Sequence, residues 1–177
     1  MVGFFVASLT WLSPEQKNRV IDHCDDRGKL QLLLKQGEET TDPDARDELI
    51  GEALVLAREL RGDDHAYAIT NVAESLLTIG QVELAVALLH DAWEEHAELA
   101  QVLADGERAK KRGIARTFAP AYALVDADDS LKLIELTAYA NEIERLQTKA
   151  LVYLALFQPK EFERQLAERE ISELSSL

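Results

Sequence analysis

The chain has 177 residues, 47% of them hydrophobic and 29% charged, with four prolines and eight glycines; this excludes a long disordered tract and leaves room for a core that needs no covalent staple. A formal net charge of −14 disfavours nucleic acid and anionic membrane surfaces as partners, since both repel an acidic protein at long range. The single cysteine, Cys24, excludes an internal disulfide and points to a reducing, cytoplasmic setting.

In chain order, Val2 to Leu12 (VGFFVASLTWL) is apolar, shorter than the ~20 residues a membrane-spanning helix needs, and without the basic start of a secretory signal. It is expected to dock on the helical body or to mediate self-association, a mis-assigned start being the alternative. Ser13, Pro14 and Gln16 form a helix start with the spacing of a capping box, opening a helix to about Asp25. Gly28 is expected to separate it from a short apolar segment, Leu30 to Leu34, that ends near Gly37. The polar stretch Glu38 to Asp44 then reads as a linker, dividing residues 1–41 from an array of helices over 42–177.

Asp42 and Pro43 repeat the cap signal, and Leu49, Ile50, Ala53, Leu54, Ala57 and Leu60 give the next helix a wide apolar stripe. Arg61 to Asp64 turn the chain, with Asp63, Asp64 and His65 explained by helix capping. A helix from about His65 to Ile79 ends at Gly80, and a longer one carries Val82, Ala85, Val86, Leu89, Ala92 and Trp93 towards Leu103, stopped by Asp105 and Gly106. The helix from Glu107 places Ala115, Phe118, Ala119, Tyr122 and Ala123 on its buried side, and Pro120 in its interior predicts a kink. Asp126 with Asp129, and Asn141 with Glu144, mark two further caps; Pro159 opens the last helix, with Phe162, Leu166 and Ile171 expected to face inward.

No strand-like alternation survives this pass, so the expected fold is all-α. Helix end, tight turn and helix start recur at Leu76 to Leu89, Tyr122 to Glu135 and Tyr153 to Leu166. That recurrence favours a right-handed α-α superhelix, or solenoid, of about three to four antiparallel hairpins with an N-terminal helical extension.

The unit at residues 66–97 resembles a tetratricopeptide repeat: Ile69, Val72, Ala73 and Leu76 on a first helix, Gly80 in the turn, and Ala85, Leu89 and Ala92 on a second. The next comparable turn, at Asp126, lies beyond the ~34-residue period of that family, so the flanking units read as generic α-α repeats. The resemblance implies a protein-interaction scaffold and names no ligand.

Chemistry is sparse. There is no glycine-rich phosphate loop, serine elbow or paired-cysteine spacing, so no cofactor and no catalytic residue is expected. Within HDAWEEHAE, His90 and Glu94, like Asp91 and Glu95, lie four apart on one helical face. They read either as a solvated acidic face or, alternatively, as the ligands or proton-sharing groups of a metal-dependent enzyme or metal-binding protein using the His90 to Glu98 region. The basic cluster Arg108, Lys110, Lys111, Arg112 and Arg116 reads as a solvated face answering nearby acids. A non-catalytic scaffold binding a protein or peptide is the leading expectation, with His65, Tyr67, Asn71, Arg112, Arg116 and Tyr122 as the candidate binding face.

Overall fold

The structure, a computed structural model, describes Ser13, Gln16, residues 24–106 and residues 114–175. Every regular element among them is helical: α1 Asp26–Glu39, α2 Pro43–Glu59, α3 Gly62–Thr78, α4 Val82–Glu95, α5 Ala97–Asp105, a π-helical turn Ile114–Phe118, α6 Ala119–Tyr122, α7 Ala127–Thr137, α8 Ile143–Phe157 and α9 Pro159–Ser175. The chain divides into two compact units, Met1–Gln81 and Val82–Leu177. The boundary falls in the turn between α3 and α4. The apolar Val2 to Leu12 segment, the basic residues Arg108 to Arg112 and the side chains of Ala115 and Ile171 lie outside what is described.

At the start of the first unit the expected capping box is present in both directions. The Ser13 N–H donates to Gln16 Oε1 at 2.9 Å and the Gln16 N–H to Ser13 Oγ at 3.3 Å. Helix α1 is capped by Asp25, whose carboxylate accepts from the Gly28 N–H at 2.8 Å. Gly28 thus lies in the first turn of α1 rather than at the break expected of it, while Gly37 lies in the last turn, two residues before the helix ends at Glu39, near where the end was expected. At Gly37 the missing side chain admits a neighbour: an added Cβ would stand 2.9 Å from Ile50 Cδ1 on α2. Leu30, Leu32, Leu33 and Leu34 are all buried, since α1 packs against both α2 and α3 and needs apolar residues around more than one stripe.

Within the polar stretch Glu38 to Asp44, only residues 40–42 form the turn joining α1 to α2, the rest being the ends of the two helices. Asp42 caps the second helix, accepting from the Asp44 N–H at 3.1 Å, while Arg46 Nη2 reaches back to the Thr40 carbonyl at 3.0 Å. Asp63 and Asp64 stand in the first turn of α3 but make no cap bond; the residue before the helix is Arg61. Their charges still favour the positive end of the helix, and Asp64 also pairs with Arg27 of α1. Ala66, Ile69, Val72, Ala73 and Leu76 turn inward as their spacing requires, and Gly80, at φ 83°, takes the left-handed conformation that closes the helix.

In the second unit the helix expected from Val82 towards Leu103 is two helices. It breaks at His96 (φ −104°, ψ 60°), whose side chain is 6% exposed and meets Phe118 edge-on at 6.3 Å. Pro120 deforms the chain as expected, and the form is specific: the residues before it make a π-turn. That wider turn relieves the clash between a proline ring and the preceding carbonyls. Phe118, Ala119, Tyr122 and Ala123 are buried, and α4, α7 and α8 all pack around the short α6. The Ala119 carbonyl accepts the buried Ser130 hydroxyl at 2.6 Å, while the Ala123 N–H bonds the Pro120 carbonyl instead.

Asp126 caps α7 as expected, accepting from the Asp129 N–H at 2.9 Å. The Asn141 capping box does not form. Helix α8 begins at Ile143 with no side-chain cap, and the Glu142 carboxylate is taken by Arg116 at 2.5 Å and Arg145 at 3.7 Å. On α9 it is Gln165 that is buried, at 3% exposed, and Leu166 that faces out at 39%. Polar bonding decides this register, because Gln165 Nε2 donates to Asp128 Oδ1 at 2.6 Å while Arg164 Nη2 holds both oxygens of the same carboxylate at 3.0 Å.

Candidate functional site

Helix α4 has two faces. Ala85, Leu88, Leu89 and Ala92 are buried in the second unit, whereas Val82, Glu83, Val86, Ala87, His90 and Asp91 recur at turn-by-turn spacing and line a groove of about 680 Å³. The opposite wall is Val125, in the turn after α6, with Phe157 and Gln158 at the end of α8. Gln158 fixes that wall: its N–H closes α8 on the Leu154 carbonyl at 2.7 Å, and its side-chain amide donates to the Leu124 carbonyl at 2.7 Å. The groove therefore has an apolar floor held by backbone anchors, with carboxylates at its rim.

The charged residues lining this groove are one-sided. No lysine or arginine occurs between Arg61 and Arg108, and none is among the described residues lining the groove. Glu83 and Asp91 stand eight positions apart along α4; His90 Nδ1 lies 4.0 Å from Asp91 Oδ1, with the two side chains 59% and 69% exposed.

The candidate binding face does not assemble as expected. His65 is 5% exposed and Tyr122 4%, so both belong to the core rather than to a surface. Tyr122 stacks between Trp93 and Phe118 at centroid distances of 4.5 and 5.6 Å, and burial, aided by Asp126, Asp129 and Glu94, pushes its phenol up to about 12. Tyr67 and Asn71 belong to the first unit. Gln31 Nε2 donates to the Tyr67 hydroxyl at 3.3 Å and to Asn71 Oδ1 at 2.8 Å, beside a polar recess of about 250 Å³. The Arg27 guanidinium lies over the Tyr67 ring at 5.3 Å. Arg116, in the second unit, is paired with Glu142, and Arg112 lies outside the described residues.

Of the alternative metal set, His90 and Asp91 border the groove while Glu94 and Glu95 are exposed on the same helix. Among the described residues no three His, Cys, Asp or Glu side chains converge as metal ligands, and His96, the other histidine of that stretch, is turned into the core.

Val82 and Val86, on the helix expected from Val82, form the groove's edge. Phe157 and Gln158 carried no signal of their own, because a site assembled from two distant helices leaves none in local periodicity. The cation-free run from Gly62 to Glu107 was the available clue. Comparison with protein-family models, with curated proteins and with solved structures returns no match.

Proposed function

We propose that the chain is a non-catalytic helical scaffold that binds a protein or peptide through the groove between α4 and the end of α8. The observation that carries this reading is the groove itself: Val82, Val86, Val125 and Phe157 stay partly exposed along a wall whose other side is packed core. Apolar surface left open on a rigid element is what a partner's side chains bury on binding. Pre-ordered helices also lower the entropic cost of capture. The finer architecture we propose, a tetratricopeptide-like right-handed α-α superhelix, rests on the helix–turn–helix units alone. A cytoplasmic setting fits the lone Cys24, and no helix among the described residues is long and apolar enough to cross a membrane.

Site-specific photocrosslinking tests the proposal. A compact diazirine-bearing aliphatic residue at Ala87, no larger than methionine so that it leaves the groove open, is expected to yield a discrete polypeptide adduct in cells of the source organism, and the same residue at exposed Val55 on α2 is not. Equal labelling from both positions, or none from Ala87, refutes the assignment.

A further inference from the structure

We propose that the groove's occupant is a basic amphipathic helix, one that seats apolar side chains a turn apart against Val82, Val86, Val125 and Phe157 and places lysine or arginine over Glu83 and Asp91. This deepens the scaffold reading and rests on it. The long wall is helix α4, with main-chain groups already bonded within the helix, and the opposite wall is a turn and a helix end, so an extended peptide would find no strand edge to pair with among the described residues. Recognition must come from side chains, as when an amphipathic helix lies in a groove. Val82 and Val86 are one turn apart, and Glu83 to Asp91 spans ~12 Å at 1.5 Å per residue, so a helix of about two to three turns covers both carboxylates.

Charge selects the sign of the partner. Glu83 and Asp91 flank an apolar floor whose described lining includes no lysine or arginine, and Asp126 follows directly on Val125, the nearest cation in sequence to the lining being Lys160, two residues beyond Gln158. An acidic helix would bring like charges together over this rim, whereas a basic one would be steered towards it and held in register by it.

The test uses the full chain and three labelled sixteen-residue helical peptides read by fluorescence anisotropy. The first carries leucines at i, i+4 and i+7 flanked by lysine and arginine; the second replaces the basic residues with glutamate; the third keeps the charges and replaces the leucines with serine. The first is expected to bind at least about tenfold more tightly than either of the others. The Glu83→Gln/Asp91→Asn double variant should weaken it by about threefold to thirtyfold, the middle to upper part of the range for two exposed ion pairs. Asp47→Asn/Glu52→Gln on α2, with the same change in net charge, should leave the affinity within about twofold. Ala87→Trp, at an exposed position that fills the groove, should abolish binding while circular dichroism stays unchanged. Equal weakening by the two double variants would reduce the effect to net charge and overturn the proposal. Tight binding of the glutamate peptide, still blocked by Ala87→Trp, would overturn the basic partner and leave the scaffold standing; no groove-dependent binding by any peptide, with no crosslink from Ala87, would bring down both.

Discussion

Replacing Gly37 by alanine sets two effects of opposite sign against each other. Alanine in a helix interior is favoured over glycine by about 0.8–1 kcal/mol. Here, however, the new methyl would lie 2.9 Å from Ile50 Cδ1 and 3.2 Å from Ile50 Cγ1, and Ile50 is only 7% exposed, so its end has little room to swing away. Overpacking of this kind costs about 1–3 kcal/mol, which leaves Gly37→Ala destabilising by about 0–2 kcal/mol. Ile50→Val, which removes Cδ1, should cost about 0.5–1.5 kcal/mol alone. Combined, the alanine methyl occupies the vacated space, and the double variant should be more stable than the sum of the singles by about 1–2 kcal/mol. Amide hydrogen exchange at Leu33 and Ala53 in all four proteins reads the stability of the first unit directly. If Gly37→Ala stabilises equally in the native and the Ile50→Val backgrounds, the close approach of α1 and α2 is not what the glycine serves.

Ser130→Ala leaves the Ala119 carbonyl without its buried hydroxyl donor and should cost about 1–3 kcal/mol in urea unfolding of the second unit; a loss below a few tenths would show the bond to be dispensable. The Tyr122 phenol ionises at about 12 in the fold and near 10 in the unfolded chain. The stability it reflects is therefore intact below pH 10 and lost as pH rises towards 12. Ultraviolet titration should show a phenolate step near 12 that Tyr122→Phe removes; a step that survives Tyr122→Phe would refute the assignment. Asp128 is held below the usual carboxylate range by the Gln165 amide and then by Arg164, and Glu161 is held down chiefly by Arg164. Their contribution is present above about pH 4 and disappears as pH falls through the lowered values. Asp128→Asn should therefore flatten the acid side of the melting-temperature profile between pH 6 and 3, and an unchanged slope would speak against the network.

Local signals proved most legible where a single residue type meets a single backbone demand. Ser13 with Gln16, Asp42 and Asp126 cap as their spacing requires, Gly80 and Gly106 end helices at positive φ, and Pro120 forces an irregular turn. Where a residue type serves two purposes, sequence reading went astray. Gly28 looks like a helix break but stands in the first turn of α1, and Asn141 with Glu144 has capping spacing while Glu142 is drawn into ion pairs. Leu166 and Gln165 exchange roles because a carboxylate on another helix outbids apolar burial. The candidate site was harder still. Aromatic and imidazole groups on a predicted helix look equally fit for core and surface, and only packing shows that His65 and Tyr122 face inward. The two faces of α4 differ by a rotation that no local pattern of valine and alanine resolves.

The wide turn over Ile114–Phe118 also sets how this stretch responds to changes in chain length. A π-turn houses one residue more than an α-turn, and each residue of an α-helix advances the direction of a side chain by about 100°. Ile114 and Phe118, both buried, are four apart and would share a face in an α-helix as well, so the wide turn absorbs the extra residue instead of letting it rotate the buried side away. Removing one residue between them would let the segment regularise as α-helix with the buried side still inward, whereas adding one more would exceed what a single wide turn absorbs and rotate it by about 100°. Conservative exchanges of side chains and the loss of one codon here should thus be far better tolerated than the gain of one.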